Sequence, residues 1–418
     1  MSVIINNFFI FFLSLYTILW GTGWNIKYIN LNISEFFFPI IFSYILIKTI
    51  LDKNFFKIRL SSVLFVSLFF LLILSFFIKG YFEINQFDQS TNDVLYLYGY
   101  TIKLLLFIFF ALLVKKIITN EKDLKFYINC SLFILVPLYI YLHYRYMYVY
   151  QTYHTGVSLD GTGLKNGKNS FGGMIALIYP FIFCKFIKNP KNFLNILSII
   201  IVVVASYYLY SRSMTIVVIF ETIIISLVLL NSFKKLIISV ILILVPIIFL
   251  FQKNQEDINE YFSKSQYTSK QEISIIDNEF EDKARGPNYL IFDTHRGWLL
   301  HEALIGAKNN YFFGSGISTF RIRESNYGSK TETHNDLALV LYETGIFGFL
   351  FLLISIGIIS IKSLNLYKKT NNLHFLAAFS SLFGLVLLMN FSNFINTFMF
   401  AIIVGLSLAI QNFKKKDE

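Results

Sequence analysis

Apolar residues in this chain run in blocks of about 18–25, the length at which a helix crosses the hydrocarbon core of a bilayer. Such blocks leave little choice of fold. In lipid every backbone polar group must be satisfied internally, so the blocks have to be helices. The strands of a membrane barrel would be shorter and would alternate polar with apolar. Charged residues make up 15% of the chain, against about 25% in soluble domains, which excludes a soluble enzyme. The expected fold class is an all-α polytopic integral membrane protein with about 12 transmembrane helices. The spans are placed at 3–20, 34–51, 60–78, 94–114, 126–148, 170–187, 192–210, 214–231, 235–251, 337–361, 374–390 and 393–411. The first begins almost at Met1 without a charged leader or a cleavage site, so it is expected to be a retained span.

Lysine and arginine orient the bundle. Alternate connections carry basic clusters: Lys53, Lys57 and Arg59; Lys115 and Lys116; Lys185 and Lys188; Lys368 and Lys369; Lys414, Lys415 and Lys416. The connections between them carry Lys27, Lys79, Arg145, Lys165, Lys168 and Arg212. The bias predicts that both termini are cytoplasmic. It also accounts for most of the net charge of +11, so no nucleic-acid partner is expected. The two cysteines, Cys130 and Cys184, sit inside apolar blocks, which gives neither a disulfide framework nor a zinc site.

Three regions follow. Residues 1–251 hold helices one to nine, 252–335 form a large extracytoplasmic loop with a short helix, and 336–418 hold helices ten to twelve and a cytoplasmic tail. The loop has two halves. Residues 252–282 are acidic and poor in large apolar anchors, and are expected to be mobile. The second half holds Trp298, Phe312, Phe313 and Phe320 and is expected to be ordered. Its short helix should bury Trp298, Leu300, Leu304 and Ala307 on one face, with Asp293 or Thr294 capping its start.

The residues able to carry chemistry gather on the extracytoplasmic side. Arg212 lies between two closely spaced spans, where it is either an interface anchor or an anion ligand. Arg296 falls in the first turn of the loop helix, where a cation is favoured when an anion lies between it and the helix amides, the plain alternative being a salt bridge to Glu302 or Glu324. Arg321 and Arg323 share a face in extended backbone. Lys165 and Lys168 precede the sixth span. His334 lies where the loop meets the tenth span. With Thr333 as cap and Asp336 completing a capping box, His334 would be the first helical residue, kept neutral by the dipole and able to accept a proton. The plain reading is a hydrogen-bonded interfacial histidine. Lys103, the deepest basic residue, should face the bundle interior. Apart from Lys103 the spans read as nearly free of charge. The tyrosines from Tyr139 to Tyr153 read mostly as an interfacial belt.

In order, spacing and topology these residues resemble the O-antigen ligase and O-antigen polymerase superfamily of bacterial membrane glycosyltransferases. The resemblance rests on Ser211-Arg212-Ser213, Lys168-Asn169 with Tyr179-Pro180, Arg296, Gly314-Ser315-Gly316, His334-Asn335, and Glu343 with Gly345 and Gly348. It implies an inverting, metal-independent transfer without a cofactor at the bacterial inner membrane. A glycan would move from undecaprenyl diphosphate to an acceptor hydroxyl, with Arg212 and Arg296 on the diphosphate and His334 as base. Arg321, Arg323, Lys168 and Lys165 would contribute to substrate binding. The acceptor would be another lipid-linked repeat for a polymerase, slightly preferred, or lipid A–core for a ligase. A flippase of lipid-linked glycan is the rival reading. It would line its spans with polar groups, and these spans are apolar. A sensing protein whose loop binds a partner is the third.

Overall fold

The computed structural model describes residues 2–22, 25–26, 31–32, 37–51, 71–82, 91–144, 167–208, 212–229, 294–320, 335–391 and 398–413. The described residues are almost entirely helical. In chain order the helices are α1 (Ser2–Thr22), α2 (Phe37–Leu51), α3 (Leu71–Phe82), α4 (Thr91–Ile117), α5 (Glu121–Tyr144), α6 (Gly167–Lys188), α7 (Phe193–Tyr208) and α8 (Arg212–Val228). They continue with α9 (Thr294–Asn309), α10 (Asp336–Thr370), α11 (Leu373–Met389) and α12 (Phe398–Ile410). A two-residue antiparallel ladder, β1 (Asn25–Ile26) with β2 (Leu31–Asn32), follows α1. Among the described residues three stretches are long and apolar enough to cross a membrane by length and composition: Leu97–Ile117, Glu121–Tyr141 and Asp336–Thr370. The span expected at 235–251 and the acidic half of the loop lie outside the described residues.

Small residues let the helices approach. A Cβ on Gly405 of α12 would stand 2.6 Å from the Ala111 carbonyl of α4. Near this seam Tyr16, Phe38, Phe110 and Phe398 bring their rings together across four helices. Helix α4 buries Phe107, Phe110, Ala111 and Val114. That stripe fixes its rotation and leaves Lys103 exposed, not facing the interior as its depth in the sequence suggested. A long basic side chain can lie along an apolar surface while its ammonium reaches a polar level.

A second seam joins α6, α8 and α11. The Tyr179 hydroxyl pairs with Thr222 Oγ1 at 2.7 Å, Ser381 Oγ donates to the Leu177 carbonyl at 2.6 Å, and Ser380 Oγ donates to the Glu221 carbonyl at 3.4 Å. Gly384 lies against the Glu221 carboxyl and Val217. Going up α11 from Ser380 to Gly384 thus means going down α8 from Glu221 to Val217, so the two helices run antiparallel. Helices α10 and α11 form a hairpin across Asn371 and Asn372. Asn371 turns the chain in the left-handed region at φ 53°, and Asn372 caps α11 by accepting from the His374 N–H.

Candidate functional site

Helix α10 is broken near its start. Gly345 sits at φ 63° and ψ −168°, a region of backbone space open essentially to glycine alone. In an unbroken helix the Tyr342 and Glu343 carbonyls would take the N–H groups of Ile346 and Phe347. Here the turn after α9 takes those places. Ser315 N–H donates to the Tyr342 carbonyl and Gly316 N–H to the Glu343 carbonyl, each at 2.8 Å. In exchange Ile346 N–H donates to the Tyr311 carbonyl at 2.8 Å and Phe347 N–H to the Phe312 carbonyl at 3.4 Å. The break therefore leaves none of these four helical groups unsatisfied.

This exchange requires bare backbone on both sides. A Cβ on Gly314 would stand 2.4 Å from the Thr344 nitrogen, and one on Gly345 would stand 2.4 Å from the Phe312 oxygen. Gly316, at φ 101°, lies against the backbone of Gly80 at the end of α3. Lys79 donates its ammonium to the Gly314 carbonyl, and Ile317 N–H donates to the Phe76 carbonyl at 3.2 Å. The Gly-x-Gly pair and the Glu-x-Gly-x-x-Gly stretch are thus two halves of one clamp that ties α3, the turn and α10 together.

Helix α9 packs on α10 through Leu299 and Ala303, which share a core with Phe320, Ala338, Leu339 and Tyr342. The Tyr342 ring occupies the space a side chain at Gly306 would need. The buried face of α9 is therefore Leu299, Ala303, Gly306 and Ala307. This corrects the face expected from sequence: Leu304 is exposed, because the tyrosine ring selects the glycine side of the helix.

The start of α10 also differs from expectation. The cap is Asn335, whose side chain accepts from the Ala338 N–H at 2.9 Å, and the first helical residue is Asp336, fully buried. Thr333 is not the cap, and His334 immediately precedes it. Asparagine outranks threonine as a cap, and its carbonyl oxygen reaches the third helical N–H without the capping box. Asn335 Nδ2 also donates to the Asn390 carbonyl at 3.2 Å, which ties the start of α10 to the end of α11.

Arg212 is the first residue of α8, Lys168 the second of α6 and Arg296 the third of α9. Lys165, Arg321, Arg323 and His334 lie outside the described residues. Since α8 runs antiparallel to α11, the start of α8 shares an end of the bundle with the end of α11, and hence with the start of α10. Arg212 precedes Glu221 by nine residues, about 13 Å along the helix axis. The opposite end of α10 carries Lys368 and Lys369 in its last turn.

Residues 197–353 match the family model described as O-antigen ligase. Residues 197–353 form an O-antigen ligase domain. The domain runs from within α7 to within α10 and contains both halves of the clamp. None of the curated proteins compared with the chain matches it. The match supports O-antigen ligase/polymerase-type function, and with it a glycosyltransferase-type enzyme; together with the apolar helices it supports an integral membrane protein.

One residue of the ligase domain escaped the sequence reading. Glu221 lies in the middle of α8 at 0% exposure, and among the described residues neither carboxyl oxygen has a hydrogen-bond partner. The span is therefore not charge-free in composition. The signal was present, a single acidic residue at the centre of an apolar block, a position where ionisable groups are costly and tend to be retained for a purpose.

Proposed function

We propose that this protein transfers a glycan from an undecaprenyl-diphosphate carrier to an acceptor hydroxyl on the extracytoplasmic face of the bacterial inner membrane. The observation that carries the reading is the ligase domain at 197–353, in which Arg212 and Arg296 fall in the opening turns of α8 and α9. Helix N-termini present free amides and the positive end of the helix dipole. Cations beside them suit a diphosphate that gathers negative charge as it leaves, where fixed cations act on the charge developing in the transition state.

In this scheme Arg212 and Arg296 hold the diphosphate, and Lys165, Lys168, Arg321 and Arg323 line the path of the donor and acceptor. His334, next to the α10 cap, takes the proton from the acceptor hydroxyl. Attack on the anomeric carbon from the face opposite the leaving diphosphate inverts its configuration. The proton passes to His334 and the C–O bond pair leaves with the lipid diphosphate, so the step needs no metal or cofactor. Two acceptors fit the same scheme, the free end of another lipid-linked repeat and lipid A–core. Polymerisation onto a repeat is the one proposed.

The test is transfer in reconstituted membranes with purified lipid-linked glycan, beside a donor-binding assay on the same variants. His334→Ala is expected to lose turnover, with donor affinity little changed. Arg212→Ala and Arg296→Ala are expected to lose both, since a charge-assisted contact disappears from ground and transition states alike. Near-normal turnover of His334→Ala would remove the histidine from the mechanism. A deletion strain resolves the acceptor by glycan gel. Single-repeat capping of core marks a lost polymerase, and free core with accumulating lipid-linked polymer marks a lost ligase.

A further inference from the structure

The turn that clamps α10 exposes three successive aromatic residues. Tyr311, Phe312 and Phe313 are each more than half exposed, and so is Phe347 on α10 beside them. Their rings touch: Phe313 lies 5.3 Å and Phe312 6.2 Å from Phe347 between centroids, and Tyr311 lies 5.4 Å from Phe312. Four large rings left in water would forfeit the stabilisation that burying their apolar surface gives.

The patch does not stand alone. Below Phe347, helix α10 exposes Leu350, Ile354, Ile358 and Ile361. Their spacing of three to four residues makes one continuous stripe down the helix. Above Gly345 the pattern changes. Asp336, Ala338, Leu339, Tyr342 and Glu343 are buried, and Leu339 and Tyr342 pack in the core shared with α9. Gly345 therefore divides a protein-packed segment from an apolar-exposed one. Twenty residues of helix from Gly345 reach Asn365, about 30 Å away, which is the thickness of the hydrocarbon core. Beyond that point lie Lys368 and Lys369.

The backbone hydrogen bonds around Gly345 point the same way. A helix broken in water can leave its freed groups to solvent. A helix broken at membrane depth has to have them satisfied by protein. Both carbonyls and both N–H groups freed at Gly345 are bonded to the turn.

We propose that residues 310–316 are an aromatic anchor seated in the bilayer, with Tyr311, Phe312 and Phe313 at the acyl–headgroup boundary continuing the lipid-facing stripe of α10, and that this seat fixes the height of the α10 start above the hydrocarbon. Tyr311 favours this boundary because its ring is apolar and its hydroxyl polar, and Phe312 and Phe313 supply the apolar side that an interfacial segment turns toward the acyl chains. Lys79, on the Gly314 carbonyl, places its ammonium at the same level, as a residue that reaches from an apolar surface to the headgroups does. The occupant is lipid, and the proposal stands whether or not the acceptor assignment above holds.

The experiment replaces Phe312 by Trp in the full-length protein and reconstitutes it in phosphatidylcholine vesicles brominated at shallow or deep acyl positions. The three native tryptophans form a background that is subtracted using the parent protein. The added emission is expected to be blue-shifted and quenched more by shallow than by deep bromines, while Ile358→Trp shows the reverse order. Phe313→Trp and Phe347→Trp give the same readout should Phe312→Trp fail to fold. A water-like, unquenched emission overturns the proposal. Blue-shifted emission that no brominated lipid quenches also overturns it, since a protein surface such as a second copy then covers the patch. Quenching seen only with a brominated polyprenyl diphosphate overturns it as well, by making the patch a groove for the donor chain.

Discussion

Replacing Gly345 by alanine tests the clamp directly. The residue occupies a glycine-only region of backbone space, where another residue costs about 1–3 kcal/mol. The new methyl carbon would stand 2.4 Å from the Phe312 oxygen and 2.5 Å from the Gly314 nitrogen. Both are backbone atoms, so the turn itself has to retreat, and it takes part of the four-bond exchange with it. Each buried group left without a partner costs about 1–3 kcal/mol. Losing two of the four then brings the total to at least about 3 kcal/mol. Two other glycines on the same helix serve as controls. A methyl on Gly348 meets the Cβ of Thr344 as well as its Oγ1. Turning Thr344 breaks its bond to the Val340 carbonyl and leaves the Cβ in place, so the helix itself has to shift. A methyl on Gly357 meets nothing within 4 Å and should gain up to about 1 kcal/mol of helix propensity. Thermal unfolding of the purified full-length protein in detergent should therefore place Gly345→Ala and Gly348→Ala below the parent, with Gly357→Ala at or above it. If Gly345→Ala unfolds with the parent, the clamp does not hold α10 and the explanation of the motif glycines fails.

Two further residues, Asn335 and Glu221, carry expected outcomes. Asn335→Ala removes the cap of α10 and its bond to the Asn390 carbonyl; a loss of about 1 kcal/mol is expected, with Asn335→Asp retaining the cap and most of the stability in the same unfolding assay. Glu221 is buried against Gly384 without a side-chain partner among the described residues, so Glu221→Gln, which keeps the shape and drops the acid, should express and unfold like the parent. Glu221→Lys should abolish membrane-integrated protein, since burying an unpaired charge costs several kcal/mol; normal yields of Glu221→Lys would show that the α8–α11 seam opens to water.

The sequence by itself determined the helical class and the position of nearly every helix among the described residues, because long unbroken apolar blocks leave the backbone few ways to satisfy its own polar groups. It also marked the motif residues Gly314, Gly316, Glu343, Gly345 and Gly348 in the right order. What those glycines do was decided only by the tertiary structure. Their role is a close approach between two backbones distant in sequence, and no local pattern encodes which backbone arrives. The face of α9 shows the same limit. Leu304 is as apolar as Leu299, and only the Tyr342 ring, seated over Gly306, decides which side is buried. The capping-box pattern pointed to Thr333, whereas the cap is Asn335, whose bond to Asn390 depends on α10 and α11 folding back on each other. Lys103 and Glu221 mark the boundary most clearly. Both are single charges in apolar blocks, alike in sequence, and helix rotation alone exposes the lysine and buries the glutamate.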